Sequence, residues 1–396
     1  RESRLTHAIE PLEALVPILG GTLPEDSFDI SDDRWLALEQ EASLPDHQLP
    51  SVPSAEQPRA EVLCRTYRNL AEVAYYSKPE RRDYYTLCLA RLSLRLKTTE
   101  AAAQGFGICA FCAAEDGRFA LADLMSARAL HAGRVCRHPV ARMFTESIAA
   151  AVLVMEGLLH EALVLNAQAV ELALQVAEPL RLMTVVSVYS LSLAAAGQLE
   201  ESTRVAQTLF DLAARYGYVR LRELGYVCSC ASALLALRFQ EACHYAAFAS
   251  TLESTGSSML ACQLRSYGTV AEAFLAEQPD PESALGLAEL WQAQGFNSML
   301  CNIEGNTFLV GALSAPHLTE EQVRRFDQQL QQGWDPAHRN HAKTGLFLAS
   351  AGLFALALGR PHGQVWFDKG VIWLRERGFR GDMQLIEHTQ TRLGLG

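Results

Sequence analysis

The sequence predicts an all-α fold built from stacked helical hairpins, and three observations carry that prediction. Hydrophobic residues make up 49% of the 396 positions against 20% charged, which is enough apolar material for a large core. A turn recurs every forty residues, as Gly117-Arg-Phe-Ala-Leu-Ala122, Gly157-Leu-Leu-His-Glu-Ala162, Gly197-Gln-Leu-Glu-Glu-Ser202 and Leu237-Arg-Phe-Gln-Glu-Ala242. Small residues hold fixed columns around it: Ala110, Ala150, Ser190 and Cys230 before the turn, Ala122, Ala162, Ser202 and Ala242 after it, then Ala129, Ala169, Leu209 and Ala249. Small residues at such points let two helices approach closely, and a glycine between them lets the first helix end with positive φ.

The first helix of each hairpin is expected at about 99–115, 139–156, 179–196 and 219–236, the second at about 118–133, 158–176, 198–215 and 239–254. Runs such as Val152, Leu153 and Val154 make these helices apolar on more than one side. Such a helix must lie between neighbours, as it does when each hairpin buries its faces against the next. Less regular pairs follow at 258–276 with 281–295, 298–314 with 318–332 and 339–358 with 361–377, and a last helix at 382–394 with Asp382 as its N-cap. Upstream, 59–76 and 83–97 form a degenerate first pair around Ser77-Lys-Pro79.

Two domains are expected, an N-terminal helix plus an acidic, proline-rich arm at 1–58 and the TPR-like helical stack at 59–396. Seven of the fifteen prolines fall in the arm, and residues 20–58 hold nine acidic residues and one arginine. Short helices are predicted at about 3–19 and 32–43, with Leu44 to Pro58 extended because proline forbids helix and disfavours it just upstream. Segment 20–58 is expected to lie against the stack, and whether it covers part of the groove is left open by the sequence. The chain starts at Arg1 without an initiator Met, which reads as a piece of a longer protein.

The Gly–x–x–x–x–Ala turn and its small columns resemble the tetratricopeptide (TPR) repeat over about 59–380, most clearly over 99–254. The period is forty residues instead of thirty-four, the family's Trp in the first helix is absent, and the closing proline survives mainly as Pro139 and Pro179. This long form is similar to the sensor regions of bacterial signal-transduction ATPases and of maltose-regulator-like transcriptional activators. The resemblance implies a right-handed superhelical solenoid of about seven hairpins with a C-terminal capping helix. It also implies a non-catalytic module that binds a ligand or protein, the sensor or regulatory part of a larger signalling or transcription regulator. A free-standing adaptor or scaffold for protein assembly is the alternative.

In the resembled family the first helix of each hairpin lines the concave face. Here those positions include Gln104, Phe111, Phe144, Ser147, Thr184, Ser187, Leu191, Leu224 and Val227, a neutral and mostly apolar set. The expected occupant is a protein or peptide, or a small apolar or amphipathic ligand, and a homo-oligomer is possible.

Other chemistries find little support. No G-x-x-x-x-G-K-[ST] phosphate loop exists, and Gly105-Phe-Gly107 lacks both a third glycine and a preceding strand. No motif localises a catalytic residue and no cofactor is expected. A net charge of −11 disfavours direct nucleic-acid binding, which needs a basic face. Cys109-Ala-Phe-Cys112 has redox or metal spacing, but lies mid-helix beside the Ala110 column and reads as packing. His338 and His341, three apart at a helix start, are the weak metal candidates. Ten cysteines, almost all in apolar helical stretches, favour a reducing cytoplasm. Of the uncharged runs Leu182 to Leu199 and Thr344 to Gly359, the first carries Thr184, Ser187, Ser190, Ser192 and Gln198 and sits in register with its neighbours, which reads as core instead of membrane.

Overall fold

The computed structural model describes residues 5–24, 27–28, 30–176, 179–254, 258–294, 303–333 and 341–395, and among these every regular element is helical. In chain order the elements are α1 (Leu5–Ile18), α2 (Asp32–Ser43), α3 (Gln57–Ser77), α4 (Pro79–Leu96), α5 (Glu100–Glu115), α6 (Phe119–Val135) and α7 (Pro139–Met155). They continue with α8 (Leu159–Val176), α9 (Pro179–Ala195), α10 (Leu199–Tyr216), α11 (Val219–Leu235), α12 (Phe239–Ala246), α13 (Ala249–Ser254) and α14 (Ser258–Leu275). The last are α15 (Pro281–Ala293), α16 (Ile303–Ser314), α17 (Glu320–Gly333), α18 (His341–Ala357), α19 (Gly363–Glu376) and α20 (Arg380–Arg392). No helix among the described residues is long and apolar enough to cross a membrane.

The forty-residue turns share one geometry. Gly117, Gly157 and Gly197 have φ between 73° and 78°, and Leu237 adopts the same left-handed conformation at 60°. In each, the N–H of the next residue reaches back five positions to a helix carbonyl: Arg118 to Ala113, Leu158 to Leu153, Gln198 to Leu193 and Arg238 to Ala233, at 2.8–2.9 Å. This is the Schellman arrangement, and it satisfies carbonyls that a helix end leaves open. Leu237 holds it without the glycine, at a steric cost of about 1–2 kcal/mol. All twelve residues of the three small columns are buried. Where serine occupies them, hydroxyls bridge the helices: Ser202 Oγ donates to the Ser190 carbonyl at 2.7 Å and lies 2.6 Å from Ser232 Oγ.

The chain forms two compact units, one of residues 1–152 with 164–185, the other of 153–163 with 186–396. In the first, α3 packs on α4, α4 on α5 and α5 on α6, while α1 lies on α3 and α2 on α4 and α6. The described residues of 1–58 therefore lie against the stack, held largely by arginines and tyrosines of the helices beneath. Arg81 Nη1 and the Tyr85 hydroxyl both donate to the Glu13 carboxylate, and Phe28 meets the edges of Tyr84 and Tyr85 beneath the Arg81 guanidinium. The Tyr67 and Tyr84 hydroxyls donate to the Thr22 carbonyl at 2.8 and 3.1 Å. Further along, Arg118 pairs with Asp32 and covers the Trp35 ring, and Arg128 holds the Ala42 carbonyl and Asp46.

In the second unit, α10 to α12, α14 to α16 and α18 to α19 pack in sequence order. The second helix of the fourth hairpin, expected to be continuous over 239–254, breaks between α12 and α13, and Phe248 at the break stacks flat on Tyr226 at 4.0 Å. The N-cap of α20 is Phe379, so Asp382 sits inside its first turn and does not cap it. Helix α20 also does more than finish the row. Besides α18 and α19 it packs on α11, and Arg392 donates to the carbonyls of Phe274 and Ala276. His388 lies against the stacked pair Phe239 and Phe274, 5.6 and 5.2 Å from their centroids. Arg377, just after α19, donates to the Glu156 carbonyl, and Gly381 abuts the Ala194 carbonyl. The last hairpin thus returns to turns laid down more than 180 residues earlier.

The α18–α19 pair also approaches closely, backbone to backbone. A Cβ at Gly370 would stand 2.3 Å from the Ala349 nitrogen, and one at Gly352 would stand 2.4 Å from the Phe367 nitrogen. Both obstacles are backbone, which cannot swing aside. Gly370→Ala is expected to cost about 2 kcal/mol by forcing the two helices apart. Thermal melting of the variant checks this, and an unchanged midpoint would contradict so close an approach.

Candidate functional site

The first unit contains an apolar cleft of roughly 120 Å³. It is lined by Ala71, Glu72 and Tyr75 of α3, Ile108, Phe111 and Cys112 of α5, Phe144 and Ile148 of α7, and Met183 and Thr184 of α9. These are the first helices of four successive hairpins. The hairpin period places them side by side, and a helix repeat of 3.6 residues turns the same positions of each toward one face. Ile108 precedes Phe111 by three residues and Ile148 follows Phe144 by four, so each pair shares a helix face.

Phe144 and Ile148 are buried and form the floor; Tyr75, Ile108, Phe111, Met183 and Thr184 are partly exposed and form the rim. The Tyr75 and Phe111 rings meet edge to face at 5.7 Å, and the Tyr75 hydroxyl donates to Glu115 Oε1 at 3.2 Å, fixing that wall. Polar groups gather at the α3 side, where Arg68 lies 3.8 Å from Glu72 and donates to Gln104. Gln104 in turn donates to Glu100 at 3.1 Å. Gly107 gives Phe144 its room, since a Cβ there would meet the ring at 3.2 Å.

Three of the positions expected on the concave face, Phe111, Phe144 and Thr184, line the cleft together. Gln104 is buried beside it in the polar chain just described. Ser147 is fully buried and its hydroxyl has no partner among the described residues, so it faces a helix neighbour and not the cleft. Ser187, Leu191, Leu224 and Val227 belong to the second unit. There Ser187 and Val227 are buried, the Ser187 carbonyl receives the Cys228 thiol at 3.8 Å, and Leu191 and Leu224 are half-buried. Tyr75, Ile108, Ile148 and Met183 were not singled out by sequence reasoning. The i, i+3 and i, i+4 spacing from Phe111 and Phe144 would have found the two isoleucines. None of the described residues of 1–58 lines this cleft.

Cys112 closes one edge of the cleft from a buried position. Burial pushes its thiol up to about 12 and pushes Cys109 well above the ordinary range, so neither is a ready nucleophile or ligand at neutral pH. Among the described residues no group of three or more His, Cys, Asp or Glu is placed to hold a metal ion. His338 and the side chain of His341 lie outside the described residues. The chain matches no protein-family model, and no curated protein is significantly similar to it.

Proposed function

We propose that this chain is a TPR-like helical-repeat module whose first-unit cleft grips an apolar anchor of a protein or peptide. The observation that carries the reading is the convergence of four successive hairpins on one partly exposed apolar cleft, floored by Phe144 and Ile148. The described residues of the N-terminal segment do not line that cleft. A site of this shape takes one aromatic or branched aliphatic side chain, while the Arg68–Glu72 edge meets the polar flank of the bound segment. In this role the chain serves as the sensing or regulatory part of a larger regulator and carries no chemistry of its own. Its formal charge of −11 suits a protein partner better than a nucleic acid.

Selection from a phage-displayed library of random peptides tests the reading. Enrichment of sequences with an aromatic or aliphatic anchor is expected. Ile108→Glu and Met183→Glu, at partly exposed rim positions, should weaken the selected peptides by about tenfold or more with little change in melting temperature. Failure to enrich any peptide, or affinities indifferent to both variants, would overturn it.

A further inference from the structure

The second unit holds a larger and chemically different cavity, of roughly 670 Å³. That is within the size range of about 300–1,000 Å³ typical of small-molecule sites. It opens where the last hairpin returns to the earlier turns. Arg375, Arg377 and Arg380 line one side, while the turn residues Gly157 and Gly197 with Leu158 to Glu161 line the other.

These arginines differ from most in this chain. Elsewhere arginine side chains are mostly spent on carboxylates, as at Arg82–Asp116, Arg220–Glu223, Arg325–Glu282 and Arg360–Asp327. Arg375, Arg377 and Arg380 make no ion pair among the described residues. Arg377 is nonetheless held in place: its guanidinium lies 4.3 Å from the Trp373 ring and donates to the Glu156 carbonyl at 3.4 Å. Arg375 and Arg380 are exposed at the cavity's edge.

Facing them is the start of α8, whose first N–H groups have no acceptor within the helix and carry partial positive charge. His160 adds a further donor. Glu161 and Glu376 also line the cavity, and neither is ion-paired to an arginine there. Three guanidiniums against two carboxylates leave a net positive pocket on a protein whose net charge is −11.

We infer that this cavity binds a phosphate-bearing small molecule, with Arg375, Arg377 and Arg380 as its anion ligands and the α8 N-terminus opposite. Guanidinium groups take phosphate oxygens in pairs, and a diphosphate is long enough to engage more than one of them. The ligand would bridge the last hairpin to the Gly157 and Gly197 turns. Because this site lies in the other unit from the apolar cleft, it stands or falls independently of the reading given above.

Inorganic pyrophosphate is the probe, titrated into the intact chain and followed by isothermal calorimetry and thermal shift, with sodium chloride matched for ionic strength. A saturable rise in melting temperature beyond the salt control is expected. Arg375→Ala with Arg380→Ala should weaken binding by at least about tenfold while leaving the unliganded melting temperature unchanged, since both side chains are exposed. Arg222→Ala, an exposed arginine outside the cavity, should bind as the parent does. Adenosine diphosphate in a parallel titration reads whether a nucleoside adds affinity to the same arginine-dependent site. Absence of a saturable response to either compound, or equal affinity in the double variant, would overturn the assignment.

Discussion

Replacing Arg82 by alanine is expected to lower the stability of the first unit by about 3 kcal/mol, one of the two largest effects of a single substitution in this chain. Arg82 projects from α4 to the turn after α5, where its Nη2 meets both oxygens of Asp116 at 2.7 and 2.8 Å. Its Nε holds Asp83 at 2.8 Å. Burial works against the guanidinium's charge, but Asp116 and the other acidic groups around it outweigh that and keep its pKa well above the ordinary value. The pair need not be worth much against an apolar replacement of both partners, because desolvating two charges offsets their attraction. Removing one partner is another matter, for it leaves the Asp116 carboxylate in a site that already disfavours ionisation through burial. Arg82→Met combined with Asp116→Asn should therefore recover most of what Arg82→Ala loses. Hydrogen exchange in α4 and α5 measures the local effect, and equal protection in the parent and the alanine variant would contradict it.

The second expected result is a pH-dependent gain from Asp382→Asn. Desolvation alone raises the Asp382 carboxyl from 3.8 to about 7. Its place in the first turn of α20 favours the anion by only about 0.3–1 kcal/mol, too little to reverse that shift. The sign follows directly. The folded chain holds this proton more tightly than the unfolded one, so the full contribution is present below pH 4. It is lost as pH rises towards 7, and the whole penalty stands above that. A shift of this size corresponds to at most about 4 kcal/mol, less for whatever water reaches the partly buried side chain. Asp382→Asn should match the parent in melting temperature at pH 4 and exceed it increasingly up to pH 8. Parallel melting profiles across that range would refute the shift.

Much of this architecture is legible in the sequence because its signals are local. The turns at 117, 157, 197 and 237 announce themselves through glycine and spacing, and even Leu237 keeps the geometry because its neighbours dictate it. Helix ends fall within a few residues of expectation for the same reason. The cleft was half legible: Phe111, Phe144 and Thr184 came from counting back from each turn. Ser147 came from the same count and proved buried, because counting gives a direction and not the distance to the next helix. The course of the arm along α4 and α6 was not legible, since it rests on partners tens of residues away, such as Glu13 with Arg81 and Asp46 with Arg128. Nor was the return of α20, whose anchors at Phe239 and Phe274 carry no mark in the local pattern.

That return bears on how such a chain can change in length. An open row of hairpins gains or loses one at its end with little effect on the rest, because each touches only its neighbours. Here Arg377, Gly381, His388 and Arg392 each meet a particular partner much earlier in the second unit: Glu156, Ala194, the Phe239–Phe274 pair, and the end of α14. Inserting or deleting forty residues between Leu275 and Gly363 would carry all four past their partners at once. The number of hairpins in this unit is therefore fixed by its own clasp, and sequence change is confined to substitution within a set count.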